Sequence, residues 1–231
     1  YVGITWNYDS YRRKTDQQYV GADGEAILGR DSYSMERYSY DVQGRLVLAE
    51  YLDTDENLVL TIDGYAGMHT AYDAQGRKAS VRYTDAQGQD VITADGYAFV
   101  EYAYDRYGYV NREDYRDVYG NAAVCLDGYA SIVKENDING RALVTTYLSA
   151  EGDLTLTEQG YAQMLCSYDA VGNLTMEAYK GEDGLSITAR NGYAKRTMTY
   201  DGAGRQTGEA YFDEYDQPVR GAKGYAASSM T

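Results

Sequence analysis

Tyrosine is the residue of this chain best suited to binding chemistry. Each ring offers a flat apolar face to sugar C–H groups and a hydroxyl for hydrogen bonds. Twenty-eight of the 231 residues are tyrosine. Their spacing follows a rule: Tyr1, Tyr33, Tyr65, Tyr97, Tyr129, Tyr161, Tyr193 and Tyr225 stand 32 residues apart. A second row, Tyr19, Tyr51, Tyr83, Tyr115, Tyr147, Tyr179 and Tyr211, keeps the same period. A third holds Tyr8, Tyr40, Tyr72, Tyr104, Tyr168 and Tyr200, with Asn136 in the fifth place. These rows take 21 of the 28 tyrosines, so the ring is required by position. A bland reading stands beside the binding one: the same rings can simply be the core.

Aspartate is the other periodic group with chemistry to offer. It follows the third tyrosine row in every unit, from Asp9, Asp41 and Asp73 through Asp105, Asp137 and Asp169 to Asp201. Asp-rich turns can bind calcium between coils of a β-solenoid. Here each turn offers one invariant aspartate and no dense cluster. The favoured reading is a structural turn carboxylate, with calcium possible and no cofactor expected. His69 is the single histidine and lies off every repeated position. Without a second candidate base, no Ser-His-Asp set can be assembled, and no nucleophile elbow, phosphate-cradling loop or zinc spacing occurs. Cys125 and Cys166 occupy different positions of the repeat and read as small buried residues. With 36 acidic against 21 basic residues the chain carries −15, which argues against a nucleic-acid partner. No apolar run is long enough to span a bilayer as a helix.

A fixed period of this size marks stacked structural units. The units are 1–32, 33–64, 65–96, 97–128, 129–160, 161–192 and 193–224, with a partial unit 225–231, making one array over 1–231. Three turn signals recur in each. The first is Asp-x-x-Gly, as at Asp73–Gly76; the second is the same pattern at Asp85–Gly88; the third is Asp-Gly or Asn-Gly, as at Asp95–Gly96. Between them lie segments of six to eight residues rich in Tyr, Val, Thr, Leu and Ile, which read as strands. The expectation is an all-β, elongated tandem-repeat array of β-hairpins, with about three short strands per 32-residue unit. The sheet is either a curled meander or a β-solenoid, and periodicity alone does not choose. Pro218 is the only proline, which suits a ladder that needs its backbone donors. The end units are less regular: Arg12 and Asp216 stand where turn glycines are expected. Those ends, and the absence of a starting methionine, favour a fragment of a longer array. Leu, Ile, Val and Phe total only 38 residues, so half-buried tyrosines must supply much of the core.

Two families share these motifs. Tyr72-Asp73-Ala74-Gln75-Gly76-Arg77 resembles the tyrosine-aspartate (YD, RHS-type) repeat, and it recurs at Tyr40–Arg45, Tyr168–Asn173 and Tyr200–Arg205. The stretch from Tyr83 to Tyr97 is similar to the cell-wall and glucan-binding hairpin repeats of Gram-positive surface proteins and clostridial toxins. The second family favours tryptophan where this chain has Tyr65 and Tyr97, and Trp6 is the only tryptophan here. The resemblance implies a non-catalytic module of the bacterial cell surface or envelope that binds glycan or wall polymer. The rings it would use are Tyr65, Tyr97, Tyr129, Tyr161 and Tyr193 of the first row, and Tyr83, Tyr115, Tyr147 and Tyr179 of the second. The partner would be cell-wall or extracellular polysaccharide. The alternative is a structural spacer or interaction scaffold attached to an enzyme or toxin domain.

Overall fold

The computed structural model describes residues 2–221 and 227–229. Tyr1 and Tyr225, the two ends of the first tyrosine row, lie outside them. The described residues are all-β, with no helix. The chain forms two compact bodies, 1–102 with 115–123 and 103–114 with 124–231.

In the first body the strands are β1 (Gly3–Tyr8), β2 (Lys14–Val20), β3 (Met35–Tyr40), β4 (Leu46–Leu52), β5 (Gly67–Tyr72) and β6 (Lys78–Thr84). β7 (Phe99–Tyr104) and β8 (Val110–Arg116) are each divided between the bodies. The second body continues with β9 (Ser131–Asn136), β10 (Ala142–Leu148), β11 (Gln163–Tyr168), β12 (Leu174–Lys180), β13 (Lys195–Tyr200), β14 (Gln206–Phe212) and β15 (Ala227–Ser229). Within each body the strands lie in chain order, and each is antiparallel to the next. Sequence left the winding open; in each body it is a meander without crossovers.

The turns explain the strand ends. At Asp41–Arg45 the Gly44 N–H donates to the Asp41 carbonyl at 2.9 Å and the Asp41 N–H to the Arg45 carbonyl at 2.9 Å. Gly44 sits at φ 82°, where a side chain is strained. This is a type I turn closed by a left-handed glycine. The second turn repeats it at Asp85–Gln89, and the third at Thr61–Tyr65.

The expected third strand of each unit shrinks to one residue. The segment between the second and third turns pairs only through isolated bridges such as Leu52↔Leu58 and Leu148↔Leu154. Two turns so close together leave no length for a ladder. The next unit's first strand then pairs with the hairpin instead, as in Leu48↔His69 and Glu50↔Gly67. Each unit therefore spends two strands, and successive units run in the same direction.

The alanine of Gly-Tyr-Ala has a matching cause. Ala66 donates its N–H to the Thr84 carbonyl at 2.7 Å, and its carbonyl accepts the Tyr51 N–H at 2.9 Å. It thus bridges two hairpins. Ala66, Ala98, Ala130, Ala162 and Ala194 are fully buried there, and Ser34 takes the place in the unit before Ala66. Only a small side chain fits between strands that approach this closely.

Candidate functional site

The tyrosine rows interleave into a file of rings. In the first body Tyr19, Tyr33, Tyr51, Tyr65, Tyr83, Tyr97 and Tyr115 follow one another, with centroids 4.7 to 6.0 Å apart. In the second, Tyr129, Tyr147, Tyr161, Tyr179, Tyr193 and Tyr211 repeat the file at 4.5 to 5.9 Å. Most pairs are tilted or edge-on, the arrangement that the ring quadrupole favours. None of these rings is exposed. Each ring therefore packs against its neighbours in the file, buried or half-buried. All nine tyrosines nominated by sequence lie in these files: Tyr65, Tyr83, Tyr97 and Tyr115 in one, Tyr129, Tyr147, Tyr161, Tyr179 and Tyr193 in the other.

Burial, first of all, pushes the hydroxyls of Tyr33, Tyr51, Tyr83, Tyr129, Tyr147 and Tyr179 well above the usual phenol range. The carboxylates of Glu36 and Glu177 reach hydroxyls of these files, and sequence reasoning missed both. Glu36 accepts from Tyr33 Oη at 2.7 Å, from Tyr38 Oη and from the Gln17 amide at 2.6 Å. Glu177 accepts from Tyr179 Oη and from Tyr193 Oη at 3.0 Å, and lies 3.6 Å from Arg196. The available signal was period two: in β3, Glu36 alternates in phase with Tyr38.

The Tyr-Asp-x-x-Gly-Arg motif forms a clasp between successive units. Asp41 Oδ1 accepts the N–H groups of Gln43 and Arg45 at 3.0 and 2.9 Å. Its Oδ2 takes Arg45 Nε at 2.7 Å. The Arg45 guanidinium then lies 4.5 Å from the ring centroid of Tyr72, in the next unit. Tyr72 Oη in turn donates back to the Leu46 carbonyl at 2.9 Å. Arg13 over Tyr40 and Arg141 over Tyr168 repeat the stack at 4.7 and 4.8 Å. Where the turn carries arginine, as at Asp9, Asp41, Asp73, Asp137 and Asp201, the first-turn aspartate thus spends its oxygens on its own turn and arginine, which is the structural role read from sequence. Among the described residues no group of three or more His, Cys, Asp or Glu is placed to hold a metal ion.

An open feature touches three of the nominated rings. In the second body Tyr129, Tyr147 and Tyr161 line a shallow cleft of about 210 Å³, rimmed by Asp127, Thr157, Glu158 and Gln159. His69 lies in β5 of the first body, exposed, with Nε2 3.2 Å from Thr84 Oγ1. Cys125 is buried and Cys166 half-buried, both as free thiols. Burial raises the Cys166 pKa.

No family model matches the chain, and no curated protein matches it. Solved structures do. A mutant Tc holotoxin pore of Photorhabdus luminescens aligns over 93% of this chain at 17% identity, with a TM-score of 0.56. The TcdB2–TccC3 complex without its hypervariable C-terminal region aligns over 94% at 13% identity, with a TM-score of 0.33, too low to carry weight. The chain spans 9% and 13% of the lengths of those two chains. At 17% identity the toxin likeness establishes a shared fold, a tandem β-hairpin repeat.

Proposed function

We propose that this chain is a non-catalytic structural repeat module, one array over 1–231, that builds part of a larger extracellular or envelope protein of a bacterium. The carrying observation is the clasp. Every element of Tyr-Asp-x-x-Gly-Arg has a partner inside the repeat, and the rings nominated for ligand are packed against each other. The motif that most resembles a recognition signature is thus explained by holding one hairpin to the next. The fold shared with the Tc holotoxin pore supports the YD side of the resemblance, and with it attachment to a toxin or enzyme domain.

Glycan binding is the second reading, and the cleft at Tyr129, Tyr147 and Tyr161 is what favours it. Its rim offers carboxylate, amide and hydroxyl groups beside ring edges, the mix that a neutral sugar needs. Calorimetric titration with soluble β-glucan and chitin oligosaccharides separates the two. The scaffold reading expects no heat. Millimolar or tighter binding that is lost in Glu158→Ala/Gln159→Ala, two exposed loop changes, would replace it with the glycan reading.

A further inference from the structure

A second periodic surface runs beside the rings of the first body, made by the short segments between the second and third turns together with the first residues of the third turn. These segments are extended, so their side chains alternate. Thr61 and Thr93 point inward and donate Oγ1 to the Tyr65 and Tyr97 carbonyls at 3.0 and 2.9 Å. That turns their neighbours outward. Leu28, Leu60, Ile62 and Ile92 are 56%, 45%, 62% and 42% exposed. Successive segments are tied together, Ile62 N–H to the Asp31 carbonyl at 3.3 Å and Ala94 N–H to the Asp63 carbonyl at 2.7 Å. The aliphatic side chains thus form a fixed row and not a scatter of loop residues. Asp31, Asp63 and Asp95 stand along it, exposed, and none of them forms an ion pair among the described residues. A recurrent apolar row of this kind marks an interaction surface.

We propose that this row docks a basic amphipathic helix. Two strands per unit set the row's spacing at about 10 Å. An α-helix repeats one face every seven residues, about 10.5 Å, and so meets each unit with the same heptad position. An extended strand shows one face every second residue, about 6.7 Å, and falls out of step. The unpaired aspartates and the net charge of −15 select lysine and arginine on the flanks of the helix, and they oppose a second copy of this acidic chain.

The test uses the full chain and a labelled 21-residue helical peptide with leucine at every seventh position and lysine beside it. Fluorescence anisotropy at physiological salt should show saturable binding. The triple change Leu60→Ser/Ile62→Ser/Ile92→Ser should weaken it about tenfold or more, because the apolar contacts are lost. Val42→Ser, at a 96% exposed position in a first turn of the same body, should leave it within about twofold. The same affinity in the triple variant and the parent would overturn the proposal, because charge alone then explains binding. So would no binding at all, or equal binding of a peptide with glutamate in place of lysine. Dimerisation of the parent that the triple variant abolishes would assign the row to a second copy and overturn it too.

Discussion

Asn136 donates its side-chain amide to the Val110 carbonyl at 3.1 Å, the bond that a tyrosine hydroxyl makes in other units. The same amide reaches Asp105 Oδ2 at 3.1 Å. Asp105 is the first-turn aspartate whose turn carries Tyr109 where five others have arginine and Asp169 has Asn173. The next unit therefore returns what its neighbour lacks. Tyr109 in turn covers Gly140 so closely that a Cβ there would come within 2.5 Å of its ring. Arginine-on-tyrosine has been exchanged for tyrosine-on-glycine, and the clasp survives in altered form.

This exchange predicts coupling. Asn136→Ala leaves a carboxylate oxygen and a carbonyl without their partner and should cost about 1–3 kcal/mol. Tyr109→Arg and Asn136→Tyr should each destabilise alone. Together they rebuild the common motif, and the pair should recover about 1 kcal/mol or more relative to the sum. Urea denaturation of the four proteins measures it. Additive losses would mean that the two positions do not communicate.

Among the described residues four side chains occupy left-handed backbone that glycine fills elsewhere: Arg12, Ser32, Glu56 and Asp216, at φ 63–70°. Arg12→Gly should stabilise by about 1 kcal/mol, since the αL conformation is strained for a residue with a Cβ. Gly76→Ala, at φ 81°, should destabilise by a similar amount. Melting curves of the two variants should move in opposite directions.

Acid and alkali should attack different groups. Asp9, Asp53 and Asp201 are held below the usual carboxylate range, first by backbone N–H bonds from Arg13, Asn57 and Arg205. A lowered folded pKa gives stability that is present above the unfolded value, about 3.9, and lost as pH falls through the folded value. Thermal stability should therefore drop below about pH 4, and Asp53→Asn should flatten that limb. The buried tyrosines act in the opposite sense. Their raised pKa gives stability that is complete below about pH 10 and drains away as pH climbs above it. Absorbance at 295 nm should show the filed rings ionising only as the β-sheet circular dichroism is lost.

The period, the β class, the three turns and the turn role of the aspartates were legible because each depends on local chemistry. Asp-x-x-Gly sets its own backbone whatever surrounds it, and tyrosine at fixed spacing declares a repeated environment. The third strand was misjudged because pairing length is decided between units: Leu58 has strand chemistry, yet the hairpin edge beyond its first bridge is taken by β5. Glu56 and Ser32 hide left-handed positions because only glycine or asparagine would have announced a positive φ in the sequence. For the candidate site, sequence nominated rings that the structure packs into files, and left their faces undetermined. Whether Tyr83 looks at solvent or at Tyr65 and Tyr97 depends on how hairpins stack, which no single unit encodes. Glu36 escaped notice because it recurs in no other unit at its position.

The central claim is that the tyrosine files are the core, and a paired truncation tests it most directly. Tyr83 packs between Tyr65 at 4.7 Å and Tyr97 at 6.0 Å, while Tyr119 is 86% exposed in the same body. Equilibrium unfolding in urea should show Tyr83→Ala losing about 3–5 kcal/mol and Tyr119→Ala changing by no more than about 0.5 kcal/mol. Tyr83→Ala as harmless as Tyr119→Ala would contradict the account and hand the rings back to a ligand.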